Sequence, residues 1–390
     1  MKVCFLSNYL THHQLPFCLE MVELTGGEFV FVETEQLPDE RRNMGYVQLG
    51  QQVDFVIPAW ESPEAQALAR KTAMDADVTI IGSAPDSYIR QRLKENKLTF
   101  RYSERIFKKG YLDVLRQGKY LLKTFPYRNK NLYYLFSSAY AAHDYSRCGA
   151  KAEKMFKWGY FPEHTVRDDK AAFFAEKEEN TILWAGRLID WKHPEAALEV
   201  ARRLKAEGIP FRLNFIGTGP MEQTLREQIQ ANGLSEQVTL LGAMPPEKVR
   251  RHMEESQIYL FTSDYNEGWG AVTNEAMSSG CAMVASHACG SVPFMIKPGE
   301  NGHVYESGNV DQLFAFTKEL LLDSKKCRQM GENALKTMDA QWNAKVAAKR
   351  FVDLCSSFRL ESPLQTIEKE GPMSPAAPIC QDKMYAYLKK

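Results

Sequence analysis

The most constraining feature of this chain is a regular alternation between residues 181 and 286. Thr181–Ala185, Phe211–Ile216, Val238–Leu241, Ile258–Thr262 and Ala282–Ala285 are short apolar runs that read as buried strands. Between them Pro194–Ala206, Met221–Asn232, Pro246–Glu255 and Gly270–Ser279 have helical spacing. Gly208, Gly233 and Gly280 fall at helix ends, where a left-handed residue is expected. Strand–helix–strand alternation predicts a parallel sheet wound on both faces, because parallel neighbours need a crossover connection.

A weaker copy of the pattern opens the chain. Lys2–Ser7, Phe29–Val32 and Val78–Ile81 read as strands, with helices around Leu15–Leu24 and Pro63–Asp75. Residues 161–180 break the rhythm with a charged stretch and read as a linker. With 390 residues there is length for two cores. The expected class is α/β, with two Rossmann-like domains facing a central cleft: residues 1–163, then residues 164–340. Val310–Leu322, Lys326–Met338 and Asn343–Phe358 are expected helices, and 341–360 is expected to pack back toward the first domain. Residues 361–390, with Pro363, Gly371, Pro372, Pro375 and Pro378, read as an irregular tail.

Composition narrows the function. Lys plus Arg and Asp plus Glu both number 49, so bulk charge favours no nucleic-acid partner. The eight cysteines form no Cys-x-x-Cys pair and read as free buried thiols in a reducing compartment. There is no signal-peptide pattern and no run of about 20 apolar residues. The expectation is a cytoplasmic protein, open to peripheral contact with the inner face of the membrane.

The strongest chemical signal is the run Asn266-Glu267-Gly268-Trp269-Gly270-Ala271-Val272-Thr273-Asn274-Glu275. Gly268 and Gly270 allow close approach of backbone to a ligand. The N–H groups of Gly270, Ala271 and Val272 should point out of a helix start, an anion site suited to pyrophosphate. Glu275 can accept from two ribose hydroxyls, and Glu267 can meet sugar hydroxyls at the rim. Two solvent-facing glutamates are the competing reading. Upstream, Gly186-Arg187-Leu188-Ile189-Asp190-Trp191-Lys192 places two cations between a strand end and a helix start. Arg187 offers a planar fork and Lys192 a mobile point charge for phosphate oxygens. Gly217-Thr218-Gly219-Pro220 is a strand-end turn that lacks a full dinucleotide fingerprint, and a purely structural turn fits it as well. Gly242-Ala243-Met244 ends the next strand, where it can pass beneath a nucleobase.

In this order, from about Thr181 to Glu306, these elements resemble the retaining family 4 glycosyltransferases, which have the GT-B fold. The Gly290 and Asn301-Gly302 turns join the match. The resemblance implies that Arg187 and Lys192 hold the diphosphate of a nucleotide-sugar donor. It implies that Glu275 binds the ribose and Glu267 faces the transferred sugar. It also implies metal-independent transfer with retention, from a UDP-sugar in preference to a GDP-sugar, to a glycan or lipid-linked hydroxyl. Alternatives on the same fold are a sugar phosphorylase, a nucleotide-sugar epimerase and a catalytically silent binding partner.

The first half departs from the family. The loop Asn8-Tyr9-Leu10-Thr11-His12-His13-Gln14 lacks the paired glycines many members have. His12 and His13 are acceptor-side candidates, and as neighbours they are expected to point in opposite directions. Glu104, at the end of Leu98–Arg105, stands where many members place a histidine, with a surface ion pair as its competing reading. The departures suggest a branch acting on capsule or another surface polysaccharide.

Asp75-Ala76-Asp77 mimics a metal-holding Asp-x-Asp motif, but it precedes a strand and reads as a solvated turn. No other cluster suggests a metal or cofactor. Residues 101–136 interleave basic and aromatic side chains, including Arg101, Arg105, Lys109, Tyr111, Lys119, Lys123, Tyr134 and Phe136. They read either as a contact for an anionic membrane or as an ordinary solvated helix pair.

Overall fold

The structure, a computed structural model, describes residues 1–39, 42, 47–108, 113–358 and 368–389. It divides into two compact units, Met1–Glu163 with Gln341–Ile379, and His164–Ala340 with Cys380–Lys390.

The first unit holds β1 (Val3–Ser7), β2 (Phe29–Glu33), β3 (Val56–Pro58), β4 (Val78–Ile81), β5 (Thr99–Ser103), β6 (Leu132–Phe136) and β7 (Met155–Lys157). They pair in the order β3-β2-β1-β4-β5-β6-β7. β1 is central, with Val3 registered against Phe29 on one side and Val78 on the other, all parallel. Every residue of β1 and of β4 is buried, as expected of a parallel sheet covered on both faces. The helix Ala344–Ser357 packs on the helix Leu15–Leu24, and Phe351 lies 6.3 Å from Phe17 and 5.0 Å from Phe100.

The second unit holds β8 (Thr181–Ala185), β9 (Arg212–Ile216), β10 (Val238–Leu240), β11 (Ile258–Phe261), β12 (Ala282–Ser286) and β13 (Gly302–Tyr305). The order is β10-β9-β8-β11-β12-β13, again all parallel. Its core joins Ile182, Trp184, Leu213, Phe215, Ile258 and Val284 to the helix residues Leu198, Ala201 and Leu204. In both units strand order reverses beside the first strand, between β1 and β4 and between β8 and β11. In such sheets the crevice at the carboxyl ends of those two strands is where ligands bind.

Two regions differ from the sequence reading. The expected linker contains a helix, Lys170–Ala175, capped by Asp169, whose Phe173 and Phe174 are buried against Leu335. Just after it, Lys177 is half-buried and its ammonium donates to Ser256 O at 2.7 Å, Ser279 O at 2.7 Å and Glu254 O at 3.0 Å. It thereby ties together the C-terminal ends of the helices Pro246–Glu255 and Val272–Ser278, where carbonyls lack intrahelical donors. Charge in this stretch therefore marks a clamp rather than a solvated spacer.

The tail is also ordered where it is described. Ala376 N donates to Met155 O at 2.9 Å and Lys157 N to Ser374 O at 2.7 Å, so the tail runs antiparallel along β7 and covers that sheet edge. Gln381–Leu388 is a helix of the second unit, with Met384 buried and the Tyr385 hydroxyl donating to Gln312 Oε1 at 2.7 Å. The prolines exclude a long element but not a paired edge and a two-turn helix.

Candidate functional site

The loop after β8 is shaped by glycines. A Cβ on Gly217, whose φ is +125°, would lie 1.9 Å from Gly186 O, and one on Gly219 would lie 2.3 Å from Leu188 O. Backbone bonds lock the two loops: Leu188 N to Thr218 O at 2.9 Å and Met221 N to Leu188 O at 3.0 Å. Gly217 and Gly219, candidates for donor contact, thus have a packing reason to be glycine. They hold the loop that carries Arg187 at the carboxyl end of the sheet. Gly242, at φ +74°, has nothing within 4 Å of its would-be Cβ, and Gly217 N donates to Gly242 O at 2.8 Å. Met244 is half-buried beyond it.

Arg187 is exposed and Lys192 half-buried, and both cations lie by the Trp191 ring, at 5.9 Å and 4.8 Å from its centre. Lys192 Nζ is 2.6 Å from Glu267 Oε2, and the Ser263 hydroxyl donates to the same oxygen at 3.0 Å. Both side chains of the pair are 13% exposed. An ammonium has three donors, so the pair fixes Lys192 in place and leaves it donors for an incoming anion. The link is reinforced by Thr262, whose hydroxyl donates to Lys192 O at 2.6 Å while accepting from Trp184 Nε1 at 2.8 Å. Asp264 N donates to Trp191 O at 2.9 Å. The ends of β8 and β11, on either side of the switch point, are therefore stitched into one edge.

Glu267 and Gly268 lie in the loop from Asp264 to Gly270, closed by Glu267 N to Asp264 O at 3.1 Å. Gly270 has φ +83°, and a Cβ there would lie 2.4 Å from the Phe261 ring. The helix is shorter than the sequence suggests, Val272–Ser278, with Ala271 as its N-cap. Gly270, Ala271 and Val272 still form its lead-in, where amides have no intrahelical acceptor. Trp269, a donor-binding candidate in the sequence, is 1% exposed, and its indole N–H donates to Asn274 Oδ1 at 2.8 Å. The large apolar ring sinks into the core and leaves its backbone at the loop, which Ser291 N braces by donating to Trp269 O at 3.0 Å.

Glu275 is half-buried in the first turn of that helix. Burial pushes its carboxyl above the ordinary range, and the charge of Arg250 pulls it partly back. Arg250, on the helix Pro246–Glu255, escaped the sequence reading; its place in the amphipathic pattern gave no signal of which way it faces. Tyr259 also escaped it. Burial raises its phenol well above the ordinary value, and the charges of Glu275 and Glu267 add to this. It stays protonated and donates to Ala185 O at 2.9 Å. Both carboxylates therefore bear on one hydroxyl at the end of β8, so Arg187, Lys192, Glu267 and Glu275 gather at the same edge.

The first unit presents a different edge. Glu33, at the end of β2, is buried, accepts from Leu10 N at 2.9 Å and from Gln48 Nε2 at 2.7 Å, and so anchors the loop after β1 without glycines. His12 and His13 do not oppose one another: their rings lie 3.7 Å apart. Neighbours oppose only in extended backbone, whereas Gln14 N bonds Thr11 O at 2.9 Å and makes this stretch a turn. His13 stacks on Tyr160 at 5.5 Å with rings 1° from parallel. The Tyr160 hydroxyl donates to Glu104 Oε1 at 2.7 Å, while Lys108 Nζ binds Glu104 Oε2 at 2.9 Å. Both readings of Glu104 hold in part: it is in an ion pair, and Tyr160 joins it to the histidine turn.

Elsewhere, Asp75 ends the helix Pro63–Asp75 and Asp77 precedes β4, accepting from Lys2 N at 2.8 Å; both lie at the sheet edge opposite the loops just described. The 101–136 segment is not one surface. Arg101 pairs with Asp86 and Arg105 with Asp144 in buried sites, and Tyr134 and Phe136 are core residues of β6. Lys109 and Tyr111 lie outside the described residues.

Residues 166–337 match the family model described as Glycosyl transferases group 1. This segment is similar to glycosyltransferase group 1, and the two Rossmann-like units have the architecture of the GT-B fold. The amylovoran biosynthesis glycosyltransferase AmsK of Erwinia amylovora is 27% identical over 178 residues, 44% of this chain and 44% of AmsK. The GDP-mannose-dependent alpha-(1-6)-phosphatidylinositol monomannoside mannosyltransferase of Mycobacterium tuberculosis is 22% identical over 198 residues, 49% of this chain and 51% of that protein. The chain thus spans about half the length of the curated relatives it matches. HepE of Anabaena, solved in complex with UDP, covers 92% of this chain and 100% of its own at a TM-score of 0.67 and 14% identity, a likeness of fold.

Proposed function

We propose that the protein transfers a sugar from a nucleotide diphosphate to a hydroxyl of a glycan or lipid-linked acceptor in surface-polysaccharide synthesis. The observation that carries this is the Lys192–Glu267 pair, held at 2.6 Å across the switch point of the second unit. Arg187 and Lys192 bind the diphosphate, joined by the amides of Gly270, Ala271 and Val272. Glu275 accepts from the ribose hydroxyls and Glu267 from the transferred sugar. Gly242 and Met244 lie along the base. His12, His13 and Glu104, joined by Tyr160, serve the acceptor.

In the reaction the acceptor oxygen bonds to the anomeric carbon as that carbon's bond to the β-phosphate oxygen breaks. The departing phosphate takes the acceptor proton on the same face, so configuration is retained and no protein base is needed. Negative charge grows on the leaving diphosphate, so two fixed cations there favour the transition state over the ground state. They do the work that a divalent ion does in metal-dependent transferases, and we assign no metal or other cofactor. UDP is preferred to GDP by analogy with HepE; the mycobacterial relative is named for GDP-mannose, so both bases belong in the test.

The test is a product assay with UDP- and GDP-hexoses and hydroxyl acceptors, with and without EDTA. The expected result is nucleoside diphosphate release with glycosylated product, undiminished by EDTA, and an anomeric configuration in the product, read from the anomeric proton's coupling, that matches the donor's. Interconversion of the donor sugar without acceptor would instead identify an epimerase. Absence of any nucleotide binding would leave a silent partner protein.

A further inference from the structure

His193 follows Lys192 directly and precedes the helix Pro194–Ala206 of the second unit. Its backbone is left-handed, with φ +49° and ψ +51°. A residue with a Cβ adopts that conformation at a cost that glycine does not bear. Such strain persists only where the surroundings over-determine it. Here both ring nitrogens face carboxylates. Nδ1 lies 2.7 Å from Glu195 Oε1 in the first turn of the helix, and Nε2 lies 3.5 Å from Asp264 Oδ2 in the loop after β11.

Asp264 organises that loop. Its other carboxylate oxygen, Oδ1, accepts from Asn266 N at 2.8 Å and from Asn266 Nδ2 at 3.0 Å. Its carbonyl accepts from Glu267 N at 3.1 Å. Glu267 in turn pairs with Lys192 at 2.6 Å. These contacts close a ring: Lys192 to His193 along the chain, His193 to Asp264, Asp264 to Glu267 through the turn, and Glu267 back to Lys192.

We propose that His193 is a positioning residue for the donor: its imidazolium closes this ring and so sets where the Lys192 ammonium meets the diphosphate. This role presupposes the donor-site reading given above. The charged form is needed because a neutral imidazole has one N–H and one lone pair. It donates to one carboxylate and turns its lone pair on the other, whereas the imidazolium serves both. The hydrogen bond to Glu195 raises the pKa of His193 above the ordinary histidine value; partial burial opposes this, and the charges of Glu195 and Asp264 add to it. The other charges nearby are engaged: Lys192 with Glu267, and the Asp190 carboxylate with Trp191 N at 2.8 Å. Tyr305 of β13, which feels the charge of Glu195, is buried and keeps its phenol protonated. The link is therefore complete below the ordinary histidine value, about 6.5, and is lost as pH rises through the higher value of the folded protein.

Calorimetric titration of UDP into the full chain, from about pH 6 to about pH 9, tests this with the native protein, His193→Gly and Asp264→Asn. Glycine suits the left-handed backbone and asparagine keeps the oxygen that holds the turn, so both variants should fold, as circular dichroism checks. The native protein should bind UDP about three- to fivefold more tightly than His193→Gly at the acid end, the worth of a partly exposed ion pair, and the advantage should vanish at the alkaline end. Taking the ratio of the two proteins at each pH cancels the titration of UDP's own terminal phosphate. Asp264→Asn should lose the same advantage, and both changes together should cost no more than either alone. A ratio of native to His193→Gly affinity that stays constant with pH overturns the proposal and leaves the donor site standing, since a purely structural role of His193 would give that result. An Asp264→Asn protein that keeps the native pH dependence also overturns it, by taking Asp264 out of the ring. Failure of the native protein to bind UDP at any pH overturns the donor-site reading, and the role of His193 with it.

Discussion

The two units share one architecture and differ at the edge that matters. Each is a parallel sheet whose order reverses beside its first strand. At that reversal the second unit has close-packed glycine turns, two cations beside one tryptophan and two carboxylates. The first has a glycine-free loop anchored on a buried glutamate, paired histidines and the Tyr160–Glu104 bond. The shared fold places a crevice; the side chains decide what enters it. Glycines bring backbone to the second edge, whereas the first presents side-chain donors and acceptors, the contrast on which the proposed division between donor and acceptor rests.

The largest expected effect comes from breaking the glycine contact that builds the second edge. Gly217→Ala would place a methyl 1.9 Å from Gly186 O at a φ that L-residues rarely adopt. We expect insoluble protein, or a melting transition at least about 10 °C lower. A normally folded Gly217→Ala protein would show that the turn is looser than described.

Next comes Glu275, proposed above to bind the ribose. Glu275→Gln should lower turnover by about 10²–10³ while raising stability at neutral pH. The sign follows from the raised carboxyl, whose cause is burial. A group whose pKa is raised by folding stabilises the native state below its unfolded value and loses that contribution as pH rises through its folded value. At neutral pH the ionised Glu275 is therefore a cost that glutamine removes. Thermal melts should show the gain at pH 7 and its disappearance below about pH 4. A loss of stability at pH 7 would contradict the burial argument.

The smallest expected effect lies in the first unit. Tyr160→Phe removes the hydroxyl that joins His13 to Glu104. It should raise the acceptor KM by about tenfold, the cost of one hydrogen bond to a charged group, and leave nucleotide affinity unchanged. A change in nucleotide affinity alone would erase the division of labour between the two edges.

The contrast also explains what the sequence made legible. Strands such as Thr181–Ala185 and Val78–Ile81 were readable to the residue, because buried parallel strands are short continuous apolar runs bounded by turns. The placement of Lys192 and Glu267 at neighbouring strand ends and of Glu275 in the following helix was readable, because local spacing carries it. Arg250 and Tyr160 were not, since each acts on a residue distant in sequence, which no local pattern encodes. The inward turn of the Trp269 ring to Asn274 was not legible either, because the two glycines beside it carry no signal of where a side chain points. The tail was misread because prolines bar a helix only where they stand, and none occurs in Gln381–Leu388.

The central claim is that the switch edge of the second unit grips a nucleotide diphosphate through Arg187 and Lys192. Calorimetric titration of UDP and GDP into the native protein and into Arg187→Ala with Lys192→Ala tests it most directly. The account predicts saturable one-to-one binding of UDP, weakened by at least about 100-fold in the double variant while circular dichroism shows that variant folded, since two charge-assisted bonds are each worth about 1.5–3 kcal/mol. Equal affinity in both proteins, or binding of neither nucleotide by the native chain, would contradict it.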